Sequence, residues 1–138
     1  RDNGRTPMQW DASHNAGFSE GEPWIGVCDN YETVNARAAL DDPDSVFYTY
    51  QSLISLRKTL PVLTWGDYED LLPEHPSLWC YRRQWQGQTL VVVANLSHTP
   101  QEWETGVLSG QPQVLMSNYP TPQTTSLRPF EAVWWLQQ

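Results

Sequence analysis

Cysteine, histidine, methionine and basic residues are all scarce in this 138-residue chain, and each shortage closes off a class of function. Cys28 and Cys80 stand far apart with no CxxC pair, so neither a zinc knuckle nor a dithiol redox motif can be written. Two reduced, unpaired thiols in a cytoplasmic protein are the expectation. His14, His75 and His98 stand singly in stretches that read as loops, so none is assigned to a metal or to catalysis, and no cofactor is expected. Lys and Arg number 8 against 16 Asp and Glu, and the net charge of -8 argues against nucleic acid or an anionic membrane as partner. No apolar run approaches the roughly 20 residues of a membrane-spanning helix. The first residues do not read as a signal peptide, and there is no internal repeat.

What is present suits a packed core. Hydrophobic residues make up 39% of the chain and aromatics 12%, enough to argue against disorder. Eight Trp could stack on sugars or simply fill a core.

The densest chemistry lies in Arg1-Asp2-Asn3-Gly4-Arg5-Thr6-Pro7-Met8-Gln9-Trp10. Two guanidinium forks, a carboxylate, amides and an indole fall within one stretch that Gly4 and Pro7 keep from regular structure. Ordered loops of this kind carry chemistry disproportionately often. The alternative is a surface loop with a chance run of polar residues. Residues 11 to 43 continue loop-rich, and Trp10, Phe18, Trp24, Ile25 and Tyr31 read as apolar anchors pinning the loop. A short helical turn is expected around Asn35 to Leu40.

Asp42-Pro43-Asp44 predicts a helix start with an Asp cap and Pro at the first helical position. Val46, Phe47, Tyr50, Leu53, Ile54 and Leu60 recur at helical spacing as one apolar stripe, and Pro61 is expected to stop the helix. Beyond Pro61 the period shortens towards two. Strands are predicted at Leu63–Tyr68, Leu78–Trp85, Thr89–Asn95, Gln101–Trp103, Gln113–Asn118 and Glu131–Leu136. Thr89–Asn95 is apolar in both facing directions and should be buried on both sides, and Gln86-Gly87 reads as a tight hairpin turn. Tyr119 to Ser126 reads as a polar loop. The expected fold is mostly β, an antiparallel sandwich, with a boundary near Pro61.

The stretch Arg1 to Asp11 closely resembles the loop after the last barrel strand in the α-glucosidase branch of glycoside hydrolase family 13. Asn15-Ala16-Gly17-Phe18, Gly21-Glu22-Pro23-Trp24-Ile25, Asn30-Tyr31 with Val34-Asn35, Ser45-Val46-Phe47-Tyr48, Leu56-Arg57-Lys58 and Leu127 to Ala132 are similar to the words that follow it in that family. Within the branch, Leu78 to Arg83 and Phe130 to Leu136 look most like the bacterial trehalose-6-phosphate hydrolases, with the oligo-1,6-glucosidases nearest to them. The resemblance implies that residues 1–60 are the last βα loop and last helix of a (β/α)8 barrel, and that 61–138 are the C-terminal β-sandwich. A chain opening on Arg1 then reads as a fragment of a cytoplasmic, monomeric retaining glucosidase acting on a small α-glucoside, phosphorylated or neutral.

A glycosidase sets two carboxyl groups across one bond. Asp11, Asp29, Asp41, Asp42 and Asp44 read as turn and cap residues, and by resemblance the reacting carboxylates lie upstream, so no catalytic residue is assigned and the piece alone is expected to be inactive. The resemblance makes Arg1 a substrate-binding residue, pairing with an upstream Asp to hold sugar hydroxyls, and makes Asp2, Asn3 and Arg5 its supports. Gln9 and Trp10 are expected to pack the loop down, Trp10 as core. Arg82-Arg83 invites a phosphate reading, but alternation sends them to opposite faces and a solvated strand charge is the plainer account. Two other classes stay open: a carbohydrate-binding sandwich, which needs two or three indoles on one exposed face, and a catalytically silent transporter partner, whose membrane span would lie outside this window. Catalytic carboxylates upstream of Arg1 would decide for the enzyme.

Overall fold

Leu90-Val91-Val92-Val93-Ala94 is apolar in both facing directions, and it becomes the middle of the sheet. The computed structural model describes residues 2–138; Arg1 and the side chains of Asp2, Asn3 and Thr105 lie outside the described set. Two units are formed, Arg1–Ser55 and Leu56–Gln138.

In the second unit five strands pair antiparallel in the order β1-β2-β3-β7-β5, with β1 Asp67–Asp70, β2 Leu78–Trp85, β3 Gln88–Asn95, β5 Gln113–Ser117 and β7 Ala132–Gln137. A second sheet pairs β4 Gln101–Glu102 with β6 Ser126–Leu127. The turn between β2 and β3 is Gln86-Gly87, at φ 47° and 84°. Two successive left-handed residues give the reverse turn whose twist matches the strands.

Alternation sorts β3 onto two cores. Val91 and Val93 join Leu78, Cys80, Val133 and Trp135 against Trp103 and Leu127, beside and within the small sheet. Leu90, Val92 and Leu136 pack with Val62 and Leu63, and with Leu56 and Leu60. The strand is therefore clad on both sides, as its sequence required. Trp134 and Trp135 separate to the two cores for the same reason. The expected antiparallel sandwich is the fold of this unit, and among the described residues no barrel closes.

One strand differs from the sequence expectation. In place of an extended Leu63–Tyr68, Pro61–Trp65 is a short helix, α3, and the strand begins at Asp67. Pro61 occupies the first turn, where its missing N–H costs nothing, so it starts a helix as well as ending one. Gly66 ends it by donating to the Val62 carbonyl at 3.1 Å. A Cβ there would lie 2.5 Å from that oxygen and 3.2 Å from Arg83 Cβ, so only glycine fits. The short strand β6 falls at the end of a stretch read as loop, and two residues carry too little pattern to show it.

In the first unit α1 covers Ala36–Asp41, and α2, Val46–Thr59, crosses the division between the units. Helix α2 starts later than Asp42-Pro43-Asp44 suggested. Asp42 Oδ1 accepts the Asp44 N–H at 3.0 Å, and the Ser45 N–H donates to the Asp42 carbonyl at 3.1 Å, so the acid-rich word closes a turn before the helix. The apolar stripe also differs from expectation: Val46, Phe47, Tyr50 and Ile54 are exposed. Among the described residues no helix is long and apolar enough to cross a membrane.

Candidate active-site loop

The loop holds its shape by hydrogen bonds, because it buries very little. Residues Asp2–Arg5 form a 3-10 turn, and the Arg5 guanidinium lies 5.0 Å from the centroid of the Trp24 ring. The face of an indole attracts a cation in this arrangement. Pro7 is buried just after it. The Gln9 amide donates to the Val34 carbonyl and to Asn30 Oδ1 at 3.3 Å, while the Gln9 and Trp10 carbonyls accept the N–H groups of Ala36 and Arg37 at 2.9 and 3.0 Å. Gln9 and Trp10 are thereby tied to the start of α1 and the turn before it. Asn35 caps that helix, accepting the Ala38 N–H at 2.8 Å and donating to Tyr31 O at 2.8 Å.

Asn15-Ala16-Gly17 makes three left-handed residues in a row, with φ of 52°, 57° and 67°. For the two residues with a Cβ this costs of order 1–2 kcal/mol each. Several contacts offset that cost. The Ala16 carbonyl accepts from both Trp10 N–H and Asp11 N–H, at 2.8 and 3.2 Å, and the Asn15 amide donates to Ser19 O and Gly21 O at 3.0 Å each. Gly17 is required, since a Cβ there would sit 2.8 Å from Asp11 Oδ1. That carboxylate accepts the Ser13 hydroxyl at 2.5 Å and the Ser13 N–H at 2.8 Å, and these two bonds hold its pKa below the ordinary Asp value. Asp11 is thus a turn residue, as read from the sequence.

Of the four residues named for this site, Arg1 lies outside the described residues, as do the side chains of Asp2 and Asn3. Arg5 is placed against Trp24, a partner that sequence spacing does not reveal. Trp10 is not core: it is 53% exposed, and Phe18 and Trp24 are exposed as well. Three of the five anchors expected to pin the loop therefore present apolar surface, Ile25 and Tyr31 are half-buried, and polar pairs do much of the pinning within the unit.

The two arginines of β2 have structural partners. Arg82 pairs with Glu69 directly across β1 and β2, and Arg83 Nη2 donates to Gly66 O at 2.7 Å. On the Arg83 side of β2, Tyr68, Tyr81 and Trp79 form a row with ring centroids 5.3 and 5.2 Å apart. Their planes are tilted by 33° and 43°, and Trp79 is the one indole in the row, short of the two or three a flat sugar platform needs. His75 Nδ1 accepts the N–H groups of Ser77 and Leu78, so it serves the loop it sits in. Cys28 and Cys80 are free thiols. Among the described residues no group of His, Cys, Asp and Glu could hold a metal.

Two family descriptions match successive parts of the chain: the alpha amylase catalytic domain over residues 1–66, and the maltogenic amylase C-terminal domain over residues 68–134. The chain is 61% identical, over its whole length, to trehalose-6-phosphate hydrolase of Escherichia coli (strain K12), covering 26% of that protein. The chain belongs to glycoside hydrolase family 13. It is 46% identical to oligo-1,6-glucosidase of Heyndrickxia coagulans, again over its whole length and 25% of the relative. Among solved structures, the trehalose-6-phosphate hydrolase of Bacillus licheniformis superposes with a TM-score of 0.90 at 36% identity, over 98% of this chain and 26% of that one. The chain thus spans about a quarter of the length of the family 13 relatives it matches. The loop built by residues 2–43 falls within the stretch matched by the alpha amylase catalytic domain.

Proposed function

We propose that this chain forms part of a retaining α-glucosidase that hydrolyses trehalose 6-phosphate to glucose and glucose 6-phosphate. The 61% identity to the Escherichia coli enzyme carries the substrate assignment. Residues 1–60 would be the last βα loop and last helix of a (β/α)8 barrel, and 61–138 the C-terminal sandwich. The exposed row Val46, Phe47, Tyr50 and Ile54 supports the barrel reading, since an apolar helix face of this size is what a barrel wall would cover. Active sites of such barrels lie at the loop end, where Arg1 would grip sugar hydroxyls and Asp2, Asn3 and Arg5 would hold the loop in one conformation. The reacting carboxylates would come from barrel strands outside this chain, so the 138 residues by themselves would not turn over substrate. The free thiols accord with a cytoplasmic setting.

The 46% identity to an oligo-1,6-glucosidase favours a second reading, in which the substrate is a neutral α-1,6-linked oligosaccharide. Kinetics of the full-length protein on trehalose 6-phosphate, trehalose and isomaltose distinguish the two. A kcat/KM highest on trehalose 6-phosphate is expected. A preference for isomaltose would replace that substrate, and inactivity on all three would overturn the glucosidase reading.

A further inference from the structure

The sandwich contains a cleft of about 350 Å³, well away in sequence from the loop above, that the glucosidase reading leaves without a role. Its inner side is apolar: Leu78 and Cys80 are both buried, and Leu71, Leu72 and Val107 complete the wall. Burial, with a smaller contribution from the nearby Asp70 charge, pushes the Cys80 thiol up to about 11, so the inner wall carries no charge at neutral pH.

Polar groups of two kinds border this apolar space. Trp103 lines the cleft at 7% exposure, and its Nε1–H is buried with no acceptor in the protein. A buried donor left unpaired costs about 1–3 kcal/mol. His75 accepts two backbone N–H groups at Nδ1, at 3.2 and 2.9 Å, which puts its ring proton on Nε2 as a second donor. Glu102 and Glu104 are exposed lining residues, and neither is paired with a cation among the described residues. The cleft therefore offers an apolar wall, one orphan donor on Trp103 with the His75 imidazole also lining it, and two exposed carboxylates with no cation partner among the described residues.

We propose that this cleft binds a small amino alcohol with an aromatic or alicyclic body. The ring enters against Leu78 and Val107, the hydroxyl oxygen accepts from Trp103 or His75, and the ammonium faces Glu102 and Glu104. The site is independent of the substrate loop and of the assigned hydrolysis.

The test compares three compounds sharing one phenyl carbinol core: 2-amino-1-phenylethanol, 1-phenylethanol and mandelate, which carry a cation, no charge and an anion. Each is titrated into the 138-residue chain while the Trp103 indole N–H and the Val107 and Leu72 methyl signals are followed by NMR. Saturable shifts at these groups are expected, with the amine binding about three- to ten-fold tighter than the alcohol, as two partly exposed charge pairs allow, and mandelate weakest. In Glu102→Gln/Glu104→Gln, whose side chains are exposed and whose remaining spectrum should be unchanged, the amine falls to the level of the alcohol. No saturable shift at Trp103, shifts centred elsewhere, equal binding of the three compounds, or an amine advantage that survives the double substitution would each overturn the proposal.

Discussion

Glu131 holds Arg128 at three points: Oε1 accepts Nη2 at 2.8 Å, while Oε2 accepts Nε at 3.0 Å and the Arg128 backbone N–H at 2.7 Å. The carboxylate is 1% exposed, and the guanidinium also stacks on the Tyr119 ring at 4.3 Å. Its neighbour Asn95, equally buried, donates from Nδ2 to the Arg128 and Thr99 carbonyls, and its backbone N–H donates to the Glu131 carbonyl. These contacts lock β3 to the turn that leads into β7. Glu131→Gln keeps one acceptor oxygen and loses the charge. A loss of about 2 kcal/mol is expected, read as a lower urea midpoint at unchanged slope.

The same carboxylate makes stability depend on acid. Hydrogen bonds from the Arg128 side chain hold the Glu131 pKa below the ordinary Glu value. A depressed pKa contributes stability that is present above the unfolded value, about 4.3, and is lost as pH falls through the lower folded one. Melting temperature should therefore fall below about pH 4, and the fall should be shallower in Glu131→Gln. Parallel pH profiles for the two proteins would refute this assignment.

Gly17→Ala should open the turn at residues 15–17 while leaving the sandwich intact. The new Cβ would combine a left-handed backbone with a 2.8 Å approach to Asp11 Oδ1. Amide exchange of Trp10 and Asp11, whose N–H groups share the Ala16 carbonyl, should quicken, while that of Val91 to Val93 stays as it was.

Residues 2–43 should exchange faster than the sandwich throughout. Their large apolar side chains lie open: Met8, Trp10, Phe18 and Trp24 are all exposed, with Trp24 at 83%, whereas β3 is buried along most of its length. Few buried contacts mean low opening free energies. Uniform protection across the chain would contradict this.

In the full-length protein, Arg1→Lys should lower kcat/KM by roughly one to two decades with little change in melting temperature. Lysine keeps the charge but not the planar fork that could serve a carboxylate and a hydroxyl together. Unchanged kcat/KM would remove Arg1 from the substrate contacts. A large fall in melting temperature with normal activity per folded molecule would make its role structural.

The sandwich was legible because a strand's period is written in its own residues. Leu78–Trp85 has the observed bounds, and the burial of β3 on both faces follows from its unbroken apolar run. Pro61 misled because the same ring that ends one helix can begin another, and the choice was made by Gly66 and the burial of Val62 and Leu63. The loop's contents could be read as chemistry but not as geometry. Nothing local says that Arg5 will lie on Trp24, nineteen positions on, or that Trp10 will stay exposed. Such contacts depend on where the chain returns, and the left-handed Asn15-Ala16-Gly17 turn that directs it is hidden behind an ordinary alanine.

The position of β3 has a consequence for synthesis. One of its edges pairs at once with β2 through the two-residue turn, but the other waits for β7, made only after β4, β5 and β6. At ribosomal speed that wait is on the order of seconds. For that interval a strand with five consecutive apolar residues shows an open row of peptide groups, the template on which other chains can add. A nascent chain interrupted before Ala132 would carry this edge permanently.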